Sequence, residues 1–520
     1  MRSVWPSSPA ELFGELFHQV QVRRLFPDGK HFVDMPPLLA PRRIMSNYQR
    51  LGPLDDRALA AFVAEHFAAP ATYLMRPRGG ISVPLREHIN STWDLLAREC
   101  EPEANHSSLL PIVGRYMVPG GRFREPYYWD GYFTLLGLNA DARCDLAEAM
   151  IEHFTSSIET FGFIPNGARS YYLGRSQPPV YYLMLDLVPP KDLGAEERRL
   201  DALMSEYSFW MAGTECLKPG EGSRRVVCMP DGSRLNRYWD EFERPRDESY
   251  AEDLATARQA ETHPPTLYRN LRAACESGWD FSSRWYCGGS GLGATRVLDI
   301  APIDLNCLLH GLELSIARRA LRLSLRGTAL RFTHLARNRR HAINAYLWHQ
   351  GESRFADCYW PTGAPTASIN AAGLFPLFTG IASQRQADAM AALVGAQLLA
   401  PGGLRTTNVE SGEQWDIPNG WAPLQWIAAE GLKRYGLHRL ALDIATRWYA
   451  TVRRDYEEFG LLFEKYDVER QIPGRGGEYP VQVGFGWTNG VVRALLDEVE
   501  SRAAATGDGC PAAYGTGARV

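Results

Sequence analysis

No stretch of this chain approaches the run of about 18 apolar residues that spans a bilayer. Its opening, MRSVWPSSPAELFGELF, holds neither a continuous apolar core of signal-peptide length nor a small-residue cleavage site, so a cytoplasmic protein is expected. Basic charge is not in excess: 56 Lys and Arg face 60 Asp and Glu, a net charge of −4. That balance leaves no bulk field to attract nucleic acid or an anionic membrane. Cysteine is sparse, nine residues from Cys100 to Cys510 without a CxxC pair, which excludes a disulfide framework and suits reduced thiols. Among the 12 histidines no HExxH occurs; His334 and His341 share at most a helical face, and no metal is expected. A Walker loop, a dinucleotide fingerprint and a GxSxG elbow are also missing, so no cofactor is expected. GGSGLGATR at 288–296 follows no clear strand and is read as a flexible loop, not a phosphate cradle. Alternating strand patterns are few; Tyr181-Tyr182-Leu183-Met184 is a short apolar run at best.

What the chain does contain is helix, at ordinary globular composition: 45% hydrophobic and 22% charged over 520 residues. Leu12, Phe13, Leu16, Phe17 and Val20 repeat at helical spacing within 9–25, and PDGKHFVDMPP ends that helix with turn formers. Further helices are expected at 55–68, from about Pro84, along Leu146–Phe154 and at 193–217. Leu305, Leu308, Leu309 and Leu312 mark another, and 313–348, 386–399, 423–435, 437–456 and 490–504 complete the set. No fixed-period repeat appears, which argues against a solenoid. The expected organisation is one all-α catalytic domain over 51–504, a helical extension over 1–50 packed on it, and a small, Gly-rich disordered tail over 505–520.

The loops between these helices carry the chemistry. PGGRFREPYYWD at 119–130 joins glycines, which let the backbone approach a ligand, to Arg122, Arg124, Glu125 and Asp130 amid four aromatic residues. Guanidinium forks and carboxylates grip hydroxyls, and aromatic faces lie against the C–H side of a sugar ring. IPNGARSYYLGRSQPP adds Asn166, Arg175, Ser176 and Gln177, while ERPRDES contributes Arg246, Asp247 and Glu248. Taken alone the latter reads as a charged turn. ESGWDFSSRW places Asp280 between aromatic residues, where desolvation raises a carboxyl towards the range of a working acid. GEQWDIPNGWAP offers Trp415 and Trp421 as either a sugar wall or barrel packing, and FEKYD with GRGGEYP adds Glu464 and Glu478. Carboxylates in separate loops, amid arginines and aromatics, point to glycosidic bond cleavage by an acid and a base.

PGGRFREPYYWDGYF, QWDIPNGWAP, ESGWDFSSRW and EKYDV…GGEYPVQVGFGWTNG together resemble the trehalases, glycoside hydrolase family 37, in order and spacing from about residue 9 to 500. The resemblance implies an (α/α)6 barrel that hydrolyses α,α-trehalose to two glucoses with inversion. A monomer without metal or cofactor is expected. The resemblance assigns the general acid to Asp280 and the general base to Glu464. Sugar contacts carry over to Arg122, Trp129, Asp130, Asn166, Arg175, Ser176, Gln177, Arg246, Glu248, Gly278 and Glu478. Two departures stand out. Asp247 replaces the family's proline, so its place in the substrate set is open, and Arg475 breaks the glycine run before Glu478. An apolar wall, Trp279 or Phe281, is expected beside Asp280 to keep it protonated. Other readings are a helical-barrel glycosidase or phosphorylase on another disaccharide, including a phosphorylated trehalose, and a catalytically silent sugar binder.

Overall fold

A computed structural model describes residues 5–70, 83–99 and 106–506. Helix α1 (Pro9–Val22) opens with Glu11 reaching back to accept from the N–H of Ser8 at 2.9 Å. With α2 (Gly29–Val33), α3 (Pro41–Leu51) and α4 (Asp56–His66) it encloses a hydrophobic cluster of Phe13, Leu16, Phe17, Phe32, Ile44, Phe62 and Phe67. Tyr127, Tyr171 and Tyr172 of the main body join that cluster, so the N-terminal helices are welded onto the domain that holds the loops. The cluster continues to Phe67, across the expected 50/51 boundary.

The main body is an (α/α)6 barrel. Outer and inner helices alternate along the chain, starting with outer α5 (Leu85–Leu96) and inner α6 (Tyr128–Ala140). Next come α7 (Cys144–Phe161), α8 (Tyr181–Leu187) and α9 (Leu193–Trp210). Two interposed helices follow, α10 (Tyr250–Gln259) and α11 (Pro264–Ser277), before inner α12 (Ile303–Arg322) and outer α13 (Arg326–Tyr346). The series ends with α14 (Phe375–Phe378), α15 (Gln384–Leu393), α16 (Ala422–Arg434), α17 (His438–Phe459) and α18 (Gly486–Thr506). Contacts run α6–α8–α12–α14–α16–α18 and back to α6, which closes the inner ring.

An inner helix of such a ring is surrounded on every side, so its sequence is apolar all round rather than striped. Every residue from Tyr128 to Leu138 is buried. Where α6 crosses α18 the backbones touch: a Cβ on Gly490 would lie 2.0 Å from the carbonyl oxygen of Phe133, and one on Gly137 would lie 2.7 Å from Gly490 Cα.

Two expectations change here. Tyr181–Met184, read as a short apolar run, is the first turn of inner helix α8; four apolar residues are too few for periodicity to separate a helix from a strand. The stretch 313–348 is two helices, reversed at Leu323–Leu325, where Ser324 takes a left-handed φ of +62°. The described part of the sheet structure consists of strands of two or three residues. Of these, β1 (Asn419–Gly420), β2 (Tyr466–Asp467) and β3 (Ile472–Pro473) form an antiparallel set beside the site, Asn419 pairing with Asp467 and Tyr466 with Pro473. Nearly all of the expected tail at 505–520 lies outside the described residues.

Candidate active site

The chemistry-bearing loops meet at one end of the barrel around a single cavity. Arg122, Trp129, Asp130, Asn166, Arg175, Gln177, Arg246, Glu248, Gly278, Asp280, Glu464 and Glu478 line it. Two expected contacts do not. Ser176 is fully buried behind the wall, its Oγ donating to the carbonyl of Ile164 at 2.6 Å. Asp247 points away as well: its Oδ2 accepts from the N–H of Ala10 at 2.9 Å and its carbonyl from Gln21 at 2.8 Å. The residue that stands in place of the family's proline therefore fastens α1 to the barrel.

Asp280 follows α11, which ends at Gly278 in the left-handed conformation, φ +75°. Only glycine fits: a Cβ there would stand 2.8 Å from the Trp129 ring. Asp416 anchors the next turn, accepting from Ser282 Oγ at 2.8 Å and from the N–H of Ser283 at 2.7 Å. Burial pushes the Asp280 carboxyl up to about 7, against the pull of Arg246 and with a push from Glu478. Its neighbour Phe281 is buried and lies under Arg246, 4.9 Å from guanidinium carbon to ring centre. Trp279, also buried, stacks on Trp415 at 5.4 Å. Trp415 in turn stacks on Trp421 at 4.0 Å, and these two line the cavity, so the pair serves as packing and as wall together.

Glu464 precedes β2. Tyr479 Oη donates to its Oε1 at 2.9 Å, and the indole of Trp487 donates to its carbonyl at 2.8 Å. Burial raises its carboxyl; Lys465, the Tyr479 hydroxyl and the N–H of Gln482 work against that rise. Asp130, on the first turn of α6, is pushed well above the usual carboxylate range by burial and then by Glu464 and Asp280. Five carboxyls line the cavity, and Asp130, Asp280 and Glu464 are the three that burial raises there, so these like charges cannot all ionise together.

The arginines are committed in pairs. Arg175 donates to Asn166 at 2.7 Å and to Glu248 at 2.7 Å. Arg246 grips Asp253 through Nε and Nη2 and reaches Glu478 at 2.8 and 3.0 Å. Burial alone would raise Glu248, but Arg175, Arg246 and Arg272 outweigh it and hold it ionised below its ordinary value. Arg122 makes a two-point bond to Asp28, at 2.8 and 2.6 Å, and lies 4.4 Å over the Tyr479 ring. Asp28 lies in the FPDGK turn between α1 and α2, a segment read as a helix stop and as part of the family resemblance but not as part of the site; its bond to Arg122 spans 94 residues. The roles of Tyr479, Lys465 and Gln414 were likewise hidden inside motifs already singled out for other residues.

This geometry has close relatives. A profile of the family described as Trehalase matches residues 24–500. The chain is 48% identical over 492 residues to the periplasmic trehalase of Pseudomonas aeruginosa, covering 94% of this chain and 90% of that protein. The chain belongs to the trehalase family. It is thus a glycoside hydrolase. Among solved structures, neutral trehalase Nth1 from Saccharomyces cerevisiae superposes with a TM-score of 0.62 at 24% identity, over 96% of this chain and 95% of that one. The GH63 mannosylglycerate hydrolase of Thermus thermophilus follows at a TM-score of 0.52 and 19% identity, over 79% of this chain and 100% of that one. Those two likenesses concern the fold alone. The cytoplasmic expectation gains no support from the P. aeruginosa relative, whose name places it in the periplasm. Among the described residues no helix of this trehalase-family chain is long and apolar enough to cross a membrane.

Proposed function

We propose that this protein hydrolyses α,α-trehalose to two glucose molecules by inversion, with Asp280 as general acid and Glu464 as general base. Family membership supports the substrate and the reaction. The observation that carries the roles is the different setting of two carboxyls in one cavity: burial pushes Asp280 to about 7, while at Glu464, which burial also raises, the Lys465 ammonium, the Tyr479 hydroxyl and the Gln482 N–H favour the ionised form. Environments that separate two titratable groups in this way assign acid and base.

In the reaction Asp280 gives its proton to the bridging oxygen as the bond from that oxygen to the anomeric carbon breaks. Water attacks the same carbon from the opposite face, and its proton passes to Glu464. One glucose leaves with the α configuration and the attacked one is released as β. Arg175, Arg246 and Arg122 present guanidinium groups to hydroxyls, Glu248 and Glu478 accept from them, and Trp129, Trp415 and Trp421 supply ring faces. For compartment we infer the periplasm, in line with the P. aeruginosa relative; cell fractionation with a cytosolic marker enzyme tests this.

A proton NMR time course with α,α-trehalose is the test. Equal early signals of α- and β-glucose, before mutarotation mixes them, are expected. Only α-glucose at the start would mean retention and would remove Asp280 and Glu464 from these roles. No glucose from folded protein would reject the reading altogether.

A further inference from the structure

Beside Glu464 sits a cation that touches neither substrate nor reacting atom in the scheme above. Lys465 is completely buried, and its Nζ donates to Gln414 Oε1 at 2.6 Å and to the carbonyl of Gly476 at 2.9 Å. Burying an ammonium is expensive, and such groups persist where their charge and donors are used. Because an ammonium offers donors only, it fixes which end of the Gln414 amide it meets: the oxygen. The Gln414 Nε2 is thereby turned towards the backbone carbonyl of Asp280, to which it donates. The same lysine holds Gly476, two residues before Glu478 and three before Tyr479, the side chain that donates to Glu464. Asn419 of β1 clasps the same loop, donating to the carbonyl of Arg475 at 2.7 Å and accepting from its N–H at 3.2 Å. Room for slack is small: a Cβ on Gly477 would lie 2.6 Å from Gln414 Oε1, and one on Gly474 would lie 2.6 Å from Lys465 Cγ.

We propose that Lys465 and Gln414 form one positioning unit that sets the acid-bearing loop, the base-bearing strand and the 474–482 segment in register with one another. This rests on the acid and base assignments above. Lys465 touches no reacting atom in this scheme; it acts through Gln414, Gly476 and the charge it places beside Glu464. The groups facing Glu464 are Arg122 from the 119–127 loop, Asp130 on α6, Lys465, and Tyr479 from the closing segment. Lys465 heads those that favour the ionised carboxylate. Replacing it by an uncharged chain of similar length therefore frees the loops and makes Glu464 harder to ionise.

The test compares Lys465→Met, Gln414→Met and the double variant. Turnover is expected to fall about 100-fold in each single variant, the usual cost of roughly 1 Å of misplacement, and the double variant is expected to lose no more than the worse single one. The acid limb of the pH profile should move to higher pH in Lys465→Met and stay in place in Gln414→Met. Amide hydrogen exchange in 474–482 should accelerate in Lys465→Met while the inner helices keep their protection. Additive losses, an unmoved acid limb, or unchanged exchange in that segment would each overturn the proposal. If the parent protein releases no glucose from trehalose, the functional reading falls, and the exchange measurement still decides whether Lys465 holds the segment.

Discussion

Replacing Asp280 by Asn should make the protein far less active and, above neutral pH, more stable. The carboxyl is half-buried, facing the cavity, and its pKa stands near 7 against an ordinary 3.8. A group whose folded pKa is raised holds its proton more tightly when folded. The stability this confers is fully present below about pH 4 and is lost as pH rises through 7. At about 1.36 kcal/mol per pH unit, the move from 3.8 to about 7 sets a ceiling of about 4 kcal/mol. Water in the cavity screens the charge, and about 2 kcal/mol is the expected loss. An asparagine has nothing to ionise. Wild type and Asp280→Asn should thus melt together near pH 4, and the variant should melt roughly 2 °C higher at pH 8, given about 2.1 cal/mol/K of unfolding entropy per residue over 520 residues. Turnover in the same variant should fall about 100- to 10,000-fold. The wild-type profile of kcat/KM should be a bell, falling above about pH 7 as Asp280 loses its proton and falling on the acid side as Glu464 gains one. Melting curves that stay parallel at every pH would refute the argument that burial raises Asp280, and near wild-type turnover would remove it as the acid.

Two further outcomes follow from the geometry. Gly278→Ala adds a methyl in a left-handed position 2.8 Å from the Trp129 ring; backbone strain of about 1–2 kcal/mol and displacement of Trp129 should lower the melting temperature, and shift of Asp280 should lower kcat by about 100-fold. Asp28→Ala frees Arg122 and with it the Tyr479 ring; losing one charge-assisted pair of about 1.5 kcal/mol should raise KM about 10-fold with kcat largely kept, and steady-state kinetics on trehalose would show whether Arg122 needs that partner.

The sequence by itself carried the class of fold and the segments of the site. Helical spacing of apolar residues is a local property, which is why Pro9–Val22, Asp56–His66 and His438–Phe459 lay close to their expected ranges. The loop motifs were equally local, each marked by its own glycines, prolines and aromatics; closing the barrel brings them to one end, where twelve of the fourteen expected site residues line one cavity. What tertiary structure alone decided is which way each side chain faces and whom it meets. Ser176 sits one residue from Arg175 and Gln177 yet turns behind the wall, and Asp247 sits between Arg246 and Glu248 yet serves α1. Neighbours in such turns diverge because successive side chains leave the backbone in different directions. Tyr181–Met184 shows the same limit for secondary structure, since four consecutive apolar residues are too short a run to announce a period. The bonds that tune the site, Arg122 to Asp28, Lys465 to Gln414 and Gln414 to Asp280, join residues 51 to 134 positions apart. Such pairs have no signature in one sequence, because only closing the barrel brings them within hydrogen-bonding distance.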